Sequence, residues 1–290
     1  MIEGVRPPAV SGVFYEGDAR SLRGDVDAYL AGTGAPHLPE ESWRALLLPH
    51  AGHVYSGRIA GSGAGAVEWP GLALLLGPNH HGEGASVALS PAAAWRTPLG
   101  DVGVSRELAE ALLSACPDLR PDPRAHRREH ALEVLVPFLQ VARPGIEIAC
   151  VSLGEPDFAL CASVGSAVAR VVRAFEDRGR RVALVVSSDL NHYLPRPRNR
   201  ERDLRAVDAL LQGDPRELFD RVLIRERISM CGVLPATVLL EALRHLPPTR
   251  ARLLAQGDSG DAFGDTSRVV GYAAVVWETL PETTRSEETG

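Results

Sequence analysis

The chain has 290 residues, 45% of them hydrophobic, with 31 basic and 37 acidic side chains giving a net charge of −6. This length and apolar content suffice for a real core, and no stretch concentrates positive charge enough to track a nucleic acid backbone. All 31 basic residues are arginine, which excludes lysine Schiff bases and the lysine of a Walker loop.

At the N-terminus, MIEGVRPPAVSGVFYEG lacks a basic segment followed by an apolar one, and no apolar run approaches ~18 residues. The expectation is a cytoplasmic protein with neither membrane nor nucleic acid as partner. Cys116, Cys150, Cys161 and Cys231 show no CxxC pairing, so free thiols are expected.

In chain order, helical periodicity over 21–31 is followed by an apolar strand at 45–49, a helix over 56–68 and a strand at 72–77. The segment 86–104 is split by Pro and Gly and reads as a hairpin or edge excursion. Helices are expected over 105–115 and 129–142, a strand at 146–154, a helix over 157–177 and a strand at 182–188. Helices over 200–211, 214–222 and 235–245 then precede strands at 252–257 and 269–277. This alternation predicts an α/β fold, a central mostly parallel sheet with helices on both faces. No linker divides the chain, so a single domain over 1–280 is expected, followed by a polar, disordered tail at 281–290.

Three of the strands run into histidine: His50 and His53 after ALLLP, His80 and His81 after LALLLGPN, and His192 after VALVVSSDLN, with Asp189 just before it. Ligands of open α/β sheets bind outside the carboxyl ends of the strands. One such histidine is ordinarily a loop residue bonded to backbone, but three strand exits together point to a shared pocket. Cys231, in ISMCGVLP, precedes a helix start whose dipole would favour a thiolate; a small buried hydrophobe is the equal alternative. The other three cysteines lie in apolar patterns and read as core.

Glu129, His130 and Glu133 in HRREHALEVLVP read as a charged helix start, with a supporting role at most. GDSGDAFGD at 257–265 lacks the alternating ligands of a calcium loop and reads as a turn before the last strand.

The motifs PHAGHVYSG, GPNHHG, W-x-TPLG, EHALEVLVPFL, SSDLNHY, MCGVLP and GDSGDAFGDTSRVVGYAAV, in this order, resemble the Memo-like proteins, whose bacterial members are called AmmeMemoRadiSam system protein B. The resemblance implies a single α/β domain similar to the class III extradiol ring-cleaving dioxygenases. It also implies a pocket whose metal in some members is iron or copper. The family's metal-binding positions match His50, His80 and Cys231, with Asp189 and His192 as further pocket residues. Extradiol enzymes use two histidines and a carboxylate; a thiolate in third place means that their activity does not transfer with the fold. For bacterial members the resemblance implies radical-SAM and AMMECR-like partner proteins, and for eukaryotic relatives the binding of phosphotyrosine peptides.

The resulting expectation is a metal-dependent redox enzyme holding Fe(II), or else copper or zinc, on His50, His80 and Cys231. His192 and His81 would carry protons, and Asp189, three residues before His192, would orient it or cap the next turn. Neighbouring side chains in an extended segment point opposite ways, which favours His80 over His81 as ligand. Two alternatives accompany this reading: a non-catalytic pocket for a small-molecule or peptide ligand, and a zinc hydrolase.

Overall fold

Within the four central strands, successive residues are apolar on both sides, so each strand needs cover above and below. The structure, a computed structural model, describes residues 4–32 and 37–280; the tail expected at 281–290 lies outside them. Its strands are β1 (Val5–Arg6), β2 (Trp43–Leu48), β3 (Leu72–Pro78), β4 (Val87–Leu89), β5 (Ala94–Thr97) and β6 (Gly100–Gly103). They continue as β7 (Arg120–Pro121), β8 (Glu147–Leu153), β9 (Val182–Ser187), β10 (His192–Leu194), β11 (Thr249–Asp258) and β12 (Val269–Thr279).

The main sheet runs β12-β2-β9-β3-β8-β4-β7, with β11 and β10 paired to β12. Its centre, β2-β9-β3-β8, is parallel throughout. Leu47, Leu74, Val151 and Val186 face a core built with the helices Arg106–Ala115, Phe158–Glu176 and Val233–Arg244. Leu46, Leu75, Ile148 and Val185 face the helices Ala19–Ala31, His53–Ala64 and Val136–Ala142 on the other side. Phe158–Glu176 is long and apolar enough to cross a membrane, but its Cys161, Val164, Val168 and Val172 belong to this core. Cys116 and Cys150 are buried as well.

The expected mostly parallel sheet is mixed at its flanks. β12 is antiparallel to both β2 and β11, and β4 is antiparallel to β8. The connection from β11 to β12 is too short for a crossover, so that pair must be antiparallel. Within 86–104, β4 joins the main sheet while β5 and β6 form a hairpin that pairs with β1 in a separate three-stranded sheet.

The helix expected over 129–142 is shorter. A 3-10 turn, Glu133–Leu135, leads into an α-helix at Val136–Ala142 with Pro137 in its first turn. Proline lacks an N–H and is tolerated only there, so it sets the helix start and leaves Glu129–Leu132 as an irregular turn.

Candidate metal centre

Because β2, β9 and β3 are parallel neighbours, their carboxyl ends lie at one edge of the sheet. Pro49 follows β2 directly and cannot continue the ladder as a donor, so the chain leaves the sheet at His50. Ser188 N–H donates to Leu48 O (2.9 Å) and holds the ends of β2 and β9 together. Cys231 approaches from the loop before the Val233–Arg244 helix, and Gly232 is what lets it come close. A Cβ at that position would fall 2.3 Å from Ser188 Cβ and 2.5 Å from Ser187 O.

The hydrogen-bond network assigns the tautomers of both strand-exit imidazoles. His50 is 1% exposed, and its Nδ1 lies 2.7 Å from Ser187 Oγ. The single hydroxyl hydrogen of Ser187 goes to Ala131 O at 2.6 Å, an atom that can only accept. His50 Nδ1–H must therefore donate to Ser187, leaving the Nε2 lone pair toward Cys231 Sγ at 3.2 Å. His80 Nδ1 lies 2.8 Å from Glu129 Oε1, again an acceptor, so its Nε2 lone pair is also free. Imidazoles pinned at Nδ1 and open at Nε2 are the usual arrangement of metal-binding histidines. One donor atom from each of His50, His80 and Cys231 fits within a mutual 4.8 Å, so the three could hold a metal ion.

Glu129 is the anchor of this arrangement. It is 2% exposed and accepts from His80 N (2.6 Å), His80 Nδ1, His130 N (2.9 Å) and Ala131 N (2.9 Å). Burial pushes its pKa up, but the hydrogen bond and charge of His80 and the backbone hydrogen bonds outweigh burial and hold it down at about 2. Burial takes His50 down to about 3 and His130 to about 4, helped by the neighbouring imidazoles. Both are neutral at pH 7, as metal ligation requires.

Cys231 corrects the expectation of a helix-stabilised thiolate. Burial and the neighbouring Asp189 carboxylate push its thiol up, overriding the helix dipole. Asp189 N–H donates to Sγ at 3.2 Å. A bound cation would have to displace the thiol proton.

The remaining expected residues separate. The Asp189 carboxylate is buried and accepts from His50 N (2.8 Å) and Ala51 N (3.3 Å); it ties down the β2 exit rather than His192. His192 lies within electrostatic reach of His50 and Asp189; its backbone N–H donates to Ser229 Oγ (2.8 Å) and its Nδ1 is buried without a partner among the described residues. His81 is exposed and donates from Nε2 to Arg128 O (3.1 Å), outside both metal-capable groups. Its expected part in proton transfer therefore loses its geometric support. His53, at the start of the His53–Ala64 helix, donates to Val134 O (2.9 Å) among Tyr15 and Phe138 and is a core residue.

His130 is the pocket residue the sequence pattern concealed. Its ring stacks on His80 with centroids 4.7 Å apart and meets His50 edge-on at 5.5 Å. With His80 and Glu129 it forms a second, overlapping metal-capable group, although the Glu129 oxygens are already committed to four N–H donors.

The profile of the Memo-like protein family matches residues 6–276. The chain is 37% identical over 275 residues to a MEMO1 family protein of Methanosarcina barkeri, covering 94% of this chain and 100% of that one. It is 34% identical over 281 residues to a MEMO1 family protein of Pyrobaculum aerophilum, covering 94% and 99%. Among solved structures, an uncharacterised protein of Escherichia coli K12 superimposes with a TM-score of 0.54 at 16% identity, over 81% of this chain and 99% of that chain. That likeness concerns the fold alone.

Proposed function

Because the chain belongs to the Memo-like family, we propose that its strand-end pocket is the metal centre of an oxidoreductase, with His50, His80 and Cys231 as ligands. The observation that carries this reading is the pair of imidazoles pinned at Nδ1, with His50 Nε2 facing the Cys231 sulfur at 3.2 Å and one donor atom each of His50, His80 and Cys231 within 4.8 Å of one another. The donor set fits a borderline or soft ion, which favours iron, then copper or zinc, over magnesium or calcium. Bound there, iron or copper would supply electron-transfer chemistry.

The residues of the chain have separate tasks. Ser187 and Glu129 hold the two imidazoles in the ligating tautomer. Asp189 fixes the His50 backbone. His192, whose Nδ1 has no partner among the described residues, accepts and returns a proton, and neutral His130 packs against the His50 and His80 rings. The kinship in fold with class III extradiol dioxygenases belongs to this proposal, without their activity, since no carboxylate occupies the third ligand position. Radical-SAM and AMMECR-like partner proteins, and a small-molecule or peptide ligand, rest on the motif resemblance.

Metal content after anaerobic iron loading tests the reading. Wild type should retain iron, and His50→Ala, His80→Ala and Cys231→Ala should each lose it. Equal and negligible metal in all four would refute it. The second reading, a binding pocket without turnover, is favoured by the commitment of the Asp189 carboxylate to backbone. Oxygen uptake coupled to product formation by the iron-loaded protein would exclude it.

A further inference from the structure

Two non-glycine residues among the described ones, Tyr193 at φ 63° and Arg227 at φ 49°, have left-handed backbone. That conformation is costly for a residue with a side chain and persists only where the surroundings impose it. Tyr193 follows His192 directly, at the register shift that interrupts the pairing of β10 with β12. It is 62% exposed, so the packing of its side chain does not impose the strain. Arg227 opens the segment that runs through Ser229 to Cys231. The strain thus falls on the segment that carries His192 and on the one that carries the sulfur ligand.

A run of buried amides joins the two segments. Asn199 and Asp203 lie one turn apart on the Arg196–Gln212 helix, both buried. Asn199 Nδ2 donates to Asn191 O (3.0 Å), a pure acceptor, and to Asp203 Oδ2 (2.9 Å). Asn199 Oδ1 must therefore be the atom that accepts from Asn191 Nδ2 at 2.7 Å. That leaves Asn191 Oδ1 to accept from Ser229 N (3.3 Å), a pure donor, and from Ser229 Oγ (3.2 Å). Ser229 Oγ in turn accepts from His192 N at 2.8 Å. Every amide orientation in the run is fixed by a group that can act in only one sense. The carboxylate end is equally confined. Asp203 Oδ1 accepts from Asn191 N (2.8 Å), and a Cβ at Gly271 would fall 2.1 Å from Asp203 Oδ2.

We propose that Asn191 and Ser229 are positioning residues: anchored on Asn199 and Asp203, they hold His192 and the Cys231 loop at a fixed separation, so that the proton carrier and the sulfur ligand move together. The proposal rests on the reading of the pocket as a metal centre. Outer hydrogen-bond partners of this kind orient the groups that act at a metal. Ser229 is the joint. It is exposed, so water could replace its oxygen as acceptor for His192 N–H, but water has no covalent tie to Cys231 two residues on.

The test compares the full chain as wild type, Ser229→Ala and Ser229→Thr, with cobalt(II) as the probe. Paramagnetic NMR shifts depend on distance from the ion, so the His192 ring signal reports its place relative to the centre. Ser229→Ala should move that signal and weaken cobalt binding about tenfold. Ser229→Thr, which keeps the hydroxyl, should retain both. In the metal-free proteins, hydrogen exchange at the amides of His192 and of residues 230–232 should accelerate together by at least about tenfold in Ser229→Ala and stay slow in Ser229→Thr. Equal His192 shifts and cobalt affinities in wild type and Ser229→Ala, or a loss that Ser229→Thr does not restore, would overturn the proposal and leave the metal centre standing. Accelerated exchange at His192 alone would show that the two segments move separately and overturn it equally. Failure of wild type to bind cobalt would instead refute the metal centre, and the exchange result would then decide by itself whether the two segments are coupled.

Discussion

Replacing Glu129 with Gln keeps the shape of the side chain and removes its charge, so it isolates what the carboxylate does for His80. All four N–H donors around it point inward. A Gln amide group must therefore turn its own donor toward one of them. The magnitude follows from the pKa, held at about 2 against an ordinary 4.5. That difference corresponds to about 3 kcal/mol of folding stability. The sign is that of a depressed carboxylate: the contribution is complete above pH 4.5, about half remains at pH 3, and it is lost as pH falls through 2. Urea unfolding at pH 7 should thus find Glu129→Gln about 3 kcal/mol less stable than wild type, with the gap narrowing at pH 3. Cobalt(II) or zinc affinity should fall about 10- to 100-fold because His80 loses its orienting acceptor. Unchanged affinity together with a pH-independent gap would refute the role given to Glu129.

Arg6→Met strands the fully buried Glu133 carboxylate, which then keeps Tyr15 OH and two backbone donors but no counter-charge. Urea unfolding should show a loss of about 3–5 kcal/mol, and a loss below about 1 kcal/mol would contradict the pairing. Gly232→Ala drives a Cβ into Ser188 and should displace Cys231, lowering cobalt affinity at least about tenfold; wild-type affinity would show that the loop has room. Burial lifts Asp203 to about 7, so the folded state keeps a proton that the unfolded chain sheds near pH 4. Stability should fall by up to about 4 kcal/mol as pH rises from 4 through 7. Asp203→Asn should flatten that slope in urea midpoints between pH 4.5 and 8; parallel slopes for the two proteins would refute the assignment.

The central strands were legible because both of their faces are apolar, a pattern that survives without knowledge of neighbours. Strand exits carrying His50 and His80 followed from the same reading, since parallel strands deliver their carboxyl ends to one edge. Other features are written across the chain rather than along it. Ser187 looks like the last residue of an apolar strand, and its importance depends on Ala131 O, 56 residues away. Asp189 sits three residues from His192, yet its carboxylate bonds the backbone at His50, 139 residues distant. Glu129 and His130 resembled an exposed helix start, because helical spacing hides that Pro137 delays the helix and leaves their segment as a turn folded into the pocket. Burial, invisible in local spacing, also reversed the expected ionisation of Cys231. Strands as short as β1 and β7, two residues each, carry no periodicity to detect.

The claim at the centre is that one sulfur and two imidazoles bind the same ion. Absorption spectra of the cobalt(II)-loaded wild type and of Cys231→Ser address it most directly. A thiolate-to-cobalt charge-transfer band should appear in wild type as the thiol proton is released and be absent from Cys231→Ser. Cobalt bound to wild type without that band, or with a spectrum that Cys231→Ser leaves unchanged, would contradict the proposed centre.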